Sequence, residues 1–201
     1  MPDPLFEIKY PLTREDAFKK LNKESDFIFD FYHPRDIDII KGADAGLTVR
    51  AKGTNFPLLI HNSLAISLSK VNPCGMILPH LHPRAAQVYY IIKGKFEFGF
   101  IQENGANYVQ HTIQEGQGTV FSQGALHYFI NNECQEASLV AVTNSEDPGR
   151  IDVVDALFNV FPQSTLIATL NGQNPTINRS IIQTIDPAKG TPECRRRCKL
   201  S

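Results

Sequence analysis

Between residues 25 and 145 the chain is a succession of short segments rich in β-branched and aromatic residues. Each is closed by turn-forming residues, and that rhythm limits the fold more than any other feature. The clearest segments are Phe27–Phe31, Leu47–Arg50, Leu64–Ser69, Val88–Ile92, Phe96–Phe100, Thr119–Phe121, His127–Ile130 and Ser138–Val142. Strands this short and this regularly spaced predict an all-β barrel or sandwich. Lys93-Gly94 predicts a hairpin turn between two of them. Before them, Thr13 as N-cap with Asp16 three residues on approximates a capping box. It predicts a helix over 12–22 with Ala17, Phe18 and Leu21 on one side. After Asp147-Pro148-Gly149 the apolar spacing becomes helical over Asp152–Phe161, Gln163–Leu170 and Thr176–Gln183, with stops at Asn171-Gly172 and Asn174-Pro175. The expected organisation is an N-terminal arm with a short helix (1–24), a β-barrel (25–147) and a helical C-terminal extension and tail (148–201).

A chain of 201 residues with 42% hydrophobic content suits one well-buried domain with terminal extensions. Net charge of −1 and a pI near 6.6 argue against nucleic acid or an anionic membrane as the main partner. Arg195-Arg196-Arg197 with Lys199 is the one basic cluster and reads as a solvated tail. No apolar run approaches the ~18 residues that span a bilayer. The start, Met1-Pro-Asp-Pro-Leu-Phe-Glu7, has no signal-peptide pattern, which keeps a cytoplasmic location open beside removal of a leader. Cys74, Cys134, Cys194 and Cys198 form an even set without a Cys-x-x-Cys pair, so a zinc ribbon or thioredoxin-type motif is not expected. A Cys74–Cys134 bridge fits if their flanking strands are neighbours, and Cys194 with Cys198 can close a small terminal loop; four thiols are the alternative. Asn178-Arg-Ser180 is a glycosylation sequon.

Chemistry concentrates in three histidines. His80 and His82 are two apart on a strand and so share a face. His127 arrives from a later strand, and the three converge on a metal site if those strands adjoin. Three neutral imidazoles, an oxygen donor and open positions suit Mn, Fe, Ni, Cu or Zn. His33, His61 and His111 lack such spacing and are expected on the surface or in loops.

Two motifs extend this pattern. Gly75, His80-Leu-His82-Pro-Arg-Ala-Ala-Gln87 and Gly94 form the first, and Gly116-Gln-Gly-Thr-Val-Phe121-Ser-Gln-Gly124-Ala-Leu-His127-Tyr-Phe-Ile-Asn131 the second. In order and spacing they resemble the paired motifs of the cupin superfamily, in particular its germin-like and spherulin-like proteins. Asn104-Gly105, the Ser145–Gly149 turn and the terminal Cys194 and Cys198 are similar to fungal and slime-mould members, extending the likeness over roughly residues 12–200. The resemblance implies a cupin β-barrel (jelly roll). It implies one divalent transition metal per chain, Mn by family, on His80, His82, His127 and the residue at position 87. It further implies secretion and a homo-oligomer, dimer or hexamer.

Position 87 departs from the pattern, since the family has glutamate there and this chain has Gln87. An amide leaves the metal one unit more positive, disfavours its trivalent state and cannot act as a base near neutral pH. Whether Gln87 ligates, stands loose or marks a decayed site is open at this stage. A second departure concerns two asparagines that help bind oxalate in germin oxalate oxidases; they align with Ile77 and Ser67, which makes oxalate an unfavourable substrate. Tyr89, two residues after Gln87, and Phe129, two after His127, should share the metal-facing side, and with Phe121 and Ile77 they predict an apolar, aromatic-lined mouth. The functional expectation is a metal-dependent enzyme acting on a mid-sized organic molecule. Its chemistry is Lewis-acid isomerisation, cyclisation or decarboxylation, or else substrate-bound oxygenation. The alternatives are a germin-like Mn superoxide dismutase or oxidase, and a non-catalytic storage, stress or wall protein.

Overall fold

The period-two patterning is realised as two antiparallel sheets in a computed structural model that describes residues 4–173 and 182–200. One sheet has the spatial order β1 (Ile39–Lys41), β2 (Gly46–Ala51), β3 (Ala65–Val71), β10 (Ala137–Thr143), β5 (Gln87–Lys93) and β8 (Gly118–Phe121). The other runs β11 (Ile151–Asp152), β4 (Gly75–Leu81), β9 (Leu126–Ile130), β6 (Lys95–Ile101) and β7 (Val109–Gln114), with β12 (Ala188–Lys189) also paired to β4. Inward side chains of both sheets share one core, in which Ile91, Phe96, Phe98, Phe121, Phe129 and Leu139 are buried. Each such side chain contributes ~1.5–3 kcal/mol relative to exposure. This is the expected all-β jelly-roll barrel with short terminal helices.

Gly94 does not close a hairpin. β5 and β6 belong to different sheets, so Lys93-Gly94 is a corner that carries the chain between them. Gly94 takes a positive φ of 79°, and a Cβ there would meet Ala137 Cβ at 2.8 Å. Phe27–Phe31 is not a strand either. Phe27 ends a helical turn, Glu24–Phe27, and Phe29 and Phe31 pack on Phe56 beside Ala51 and Leu59. Its alternation serves that small cluster, and among the described residues no strand pairs with it.

The expected helix over 12–22 is α2 (Arg14–Lys20), preceded by α1 (Pro4–Lys9) and followed by α3 (Glu24–Phe27). Thr13 caps α2 by accepting from the Asp16 N–H at 3.1 Å. Ala17 and Leu21 are buried with Ile8 and Ile60, whereas Phe18 is exposed.

Beyond residue 148 the chain is helical only in part. Val153–Asp155 (α4) continues as a π-helical turn over Ala156–Val160, α5 covers Gln163–Thr169, and α6 covers Pro192–Arg197. Most of the expected helix Thr176–Gln183, and the sequon at Asn178, lie outside the described residues. The same segment returns twice to β4, through Ile151↔Leu81 with Asp152↔His80 and through Ala188↔Met76 with Lys189↔Gly75. No described helix is long and apolar enough to cross a membrane.

The cysteines pair as Cys74–Cys194 and Cys134–Cys198, with Cα separations of 5.6 and 5.3 Å. This corrects the expected Cys74–Cys134 and Cys194–Cys198 bridges. β4 and β9 do adjoin, but Cys194 and Cys198 stand one helical turn apart on the same side of α6. There they present two sulfurs, each within reach of one barrel cysteine. The bridges therefore fasten α6 to the ends of the strands that carry the histidines.

Candidate metal centre and its cavity

β4 sets the geometry of the centre. Its register against β9 runs Met76↔Ile130, Ile77↔Phe129, then His80↔His127, so β4 carries one residue more than its partner between Ile77 and His80. That residue is a β-bulge, and it contains Pro79, which has no N–H to lose from a ladder. In a regular strand, positions 77 and 80 would face opposite ways; the bulge turns both inward, and both are buried. It also frees the Leu78 backbone. The Leu78 N–H donates to Asp186 Oδ1 at 2.8 Å, and the Leu78 carbonyl accepts from His80 Nδ1 at 2.7 Å.

The other two rings are held in the same way. His82 Nδ1 donates to the Gly149 carbonyl at 2.5 Å and His127 Nδ1 to the Ala125 carbonyl at 2.8 Å. A carbonyl only accepts, so each proton sits on Nδ1 and each Nε2 keeps its lone pair. His80, His82 and His127 are all buried, with one ring nitrogen of each within 4.8 Å of the others. Burial is the main reason that all three stay neutral. It depresses His82, holds His80 well below the ordinary imidazole range with help from the Arg150 charge, and takes His127 down to about 3.

Gln87 stands at the edge of this cluster. Its Oε1 accepts from the Tyr89 hydroxyl at 2.7 Å and lies 3.3 Å from His127 Nε2. Burial pushes the Tyr89 hydroxyl well above its ordinary range, so it keeps its proton and serves as a donor. The same hydroxyl lies 3.3 Å from His127 Nε2, and its single proton can serve only one of these two acceptors. His82 Nε2 is buried without any hydrogen-bond partner. Converging lone pairs that outnumber the donors in reach would be costly in a dry interior, and a cation relieves them. The donor set fits a divalent transition metal on three imidazoles with an amide oxygen beside them.

The centre opens into a cavity of about 390 Å³. Ser67, Ile77, Tyr89, His80, His82 and Gln87 line it, which brings together most of the residues singled out from the sequence. Phe121 and Phe129 do not line it; they are core residues, Phe121 stacked on His127 and Phe129 on Phe98. Alternation along a strand decides which face a residue takes, not its depth, and these two rings lie beneath the metal-facing layer. The expected aromatic lining is therefore corrected to Tyr89 alone, while the exposed lining is mainly apolar, as expected. Charged residues also stand at the cavity, among them Arg50, Lys52, Arg150, Asp152 and Asp186. Arg150 is a half-buried hub whose guanidinium lies 2.5 Å from both Asp152 and Asp186. No motif announced it, because Arg150 and Asp186 meet only after the segment between them has folded back onto β4. His33, His61 and His111 are exposed, as expected.

Fold and site together define a cupin. The sequence matches the Cupin family over residues 35–178, and the chain belongs to it. Spherulin-1B of Physarum polycephalum is 37% identical over 191 residues, covering 90% of this chain and 73% of that protein. Germin-like protein subfamily 2 member 2 of Arabidopsis thaliana is 37% identical over 103 residues, covering 50% of this chain and 47% of the other. Among solved structures, an oxalate oxidase superposes with a TM-score of 0.64 at 21% identity, over 76% of this chain and 80% of that one. At that identity the likeness speaks for the fold alone.

Proposed function

We propose that the chain is a metal-dependent cupin enzyme that binds one divalent transition metal through His80, His82 and His127, with Gln87 as a neutral oxygen donor. The observation that carries this reading is the set of Nε2 lone pairs turned inward by three Nδ1–carbonyl bonds, one of them without any partner. When bound, the metal supplies Lewis acidity toward a carbonyl or enolate oxygen, or a meeting point for an organic substrate and dioxygen. The chain's own residues supply the rest. Buried side chains behind the histidines keep water from that face, Tyr89 orients Gln87 and offers a proton-bearing hydroxyl to the cavity, and the cavity accepts a mid-sized organic molecule. Isomerisation, cyclisation, decarboxylation or substrate-bound oxygenation all draw on this arrangement. A dismutase or oxidase cycle at Mn needs a stable trivalent metal, which an uncharged Gln87 disfavours. A non-catalytic storage, stress or wall protein that holds no metal lacks an explanation for the unsatisfied imidazole.

Secretion belongs to the same proposal, supported by two disulfides of the kind that persist in oxidising compartments. So does assembly into a homo-oligomer, dimer or hexamer. The test is elemental analysis of the purified chain after dialysis, beside a dismutase assay on metal-loaded protein. We expect close to one divalent ion per chain, loss of most of it in His127→Ala, and negligible dismutation. A metal-free chain, or His127→Ala that retains its metal, contradicts the proposal.

A further inference from the structure

The registers across the first sheet align Arg50 with Ser67, Ser67 with Ala141, and Ala141 with Tyr89. All four line the cavity, so the row crosses its wall from the solvent side to the metal centre. A neighbouring row aligns Ala65, Thr143 and Gln87, again all on the cavity. The middle positions of both rows carry small side chains: Ser67 and Ala141, then Ala65 and Thr143. Their shortness leaves the trough, with Tyr89 and Gln87 at one end and Arg50 at the other. Strands lie about 4.8 Å apart, so three spacings put the Arg50 and Tyr89 backbones roughly 14 Å from each other.

Arg50 is exposed at that outer end, and among the described residues no hydrogen-bond acceptor holds its guanidinium, although Asp186 attracts it and Arg150 repels it through space. This sets it apart from Arg150, which is held by Asp152 and Asp186, and from Arg84, whose partner Asp147 also lines the cavity. The trough wall between Arg50 and the centre is mixed. Ser67 offers a hydroxyl, the Thr143 hydroxyl being donated to the Ser145 carbonyl, while Ile40, Ile66 and Ile185 offer apolar surface. At the inner end, Gln87 contributes no negative charge to a divalent ion.

We propose that Arg50 is the distal subsite for a carboxylate-bearing substrate, an organic acid long enough to reach from the metal centre along the small-residue row to the guanidinium. This deepens the metal-dependent reading above and rests on it for the inner end only. A planar, always charged guanidinium presents a donor fork that matches a carboxylate, and one whose donors lack an acceptor beside apolar wall selects an acid with a hydrocarbon body. A diacid as short as oxalate cannot touch both ends.

Calorimetric titration of the purified chain tests this, with oxalate, succinate, adipate and suberate and with hexanoate as the monoacid matched to adipate. Wild type is expected to bind adipate or suberate more tightly than oxalate, and adipate more tightly than hexanoate. Arg50→Ala should weaken adipate by roughly 10–100-fold, with hexanoate binding and metal content unchanged. Equal adipate affinity in Arg50→Ala, tightest binding of oxalate, or no preference of adipate over hexanoate overturns the proposal. Metal content is measured on the same samples: a metal-free wild type sinks the metal reading, while the change in adipate affinity between wild type and Arg50→Ala still decides the Arg50 subsite.

Discussion

At the scale of single residues, the account turns on an amide where a carboxylate would be ordinary. Gln87 Oε1 is held toward His127 Nε2 by the Tyr89 hydroxyl, so Gln87→Glu would place a negative charge at the same point. A unit charge about 4 Å away, at an effective dielectric near 20, is worth about 4 kcal/mol, on the order of 100–200 mV for a one-electron couple. Gln87→Glu is therefore expected to lower the potential of a bound redox metal by that order, measured by spectroelectrochemical titration; an unmoved potential would refute the charge argument. A second residue governs stability rather than chemistry. The buried Asp38 carboxylate accepts from Arg35 Nε at 2.7 Å, Arg35 Nη2 at 3.0 Å and Asn55 Nδ2 at 2.7 Å. Burial pushes its pKa up, but Arg35 and Asn55 outweigh burial and leave it below the usual carboxylate range. A folded-state pKa below the unfolded one gives stability that is present above about pH 3.9 and lost as pH falls through the folded value. Asp38→Asn should thus cost about 1–3 kcal/mol near neutral pH. The deficit should shrink in acid, as denaturant melts across pH will record.

Elements show what the sequence made readable and what it hid. β5 was legible because Gln87, Tyr89 and Ile91 alternate with Val88, Tyr90 and Ile92, a pattern that needs only local geometry to interpret. The bulge in β4 was not, since nothing local says that Leu78 and Pro79 together oppose a single step of β9. The corner at Gly94 is hidden from the sequence for a related reason. A glycine with positive φ marks a sharp turn, yet sheet membership is decided by strands far away in sequence. The disulfides depended on how α6 meets the barrel, which the spacing of Cys194 and Cys198 did not reveal. Closing the Cys74–Cys194 loop, with a sequence separation of 120, restricts the unfolded chain strongly. Replacing Cys74 and Cys194 together by serine is expected to cost about 2–5 kcal/mol in chemical denaturation. Non-reducing peptide mapping should recover Cys74 with Cys194 and Cys134 with Cys198; any other pairing would refute this arrangement.

For the molecule as a whole, the barrel and its three histidines are visible in the sequence, whereas the charge at the cavity is not. Period-two alternation located the inward faces, and the spacing of His80, His82 and His127 brought them to one place. Charge at the mouth came from Arg50, Arg150, Asp152 and Asp186, which lie on β2, on β11 with the residue before it, and just before β12. Only closure of the C-terminal segment over β4 assembles three of them. That segment is thus part of the site as well as an extension, since Gly149 orients His82 and Asp186 holds the bulge that turns His80 inward.

The central claim, that three imidazole nitrogens share one cation, is tested most directly by anomalous diffraction from crystals of the chain grown with a divalent transition metal. A single strong anomalous peak is predicted between the Nε2 atoms of His80, His82 and His127, with the Gln87 oxygen beside it. Rings turned away from one another with no peak between them, or a peak confined to another part of the molecule, would contradict it.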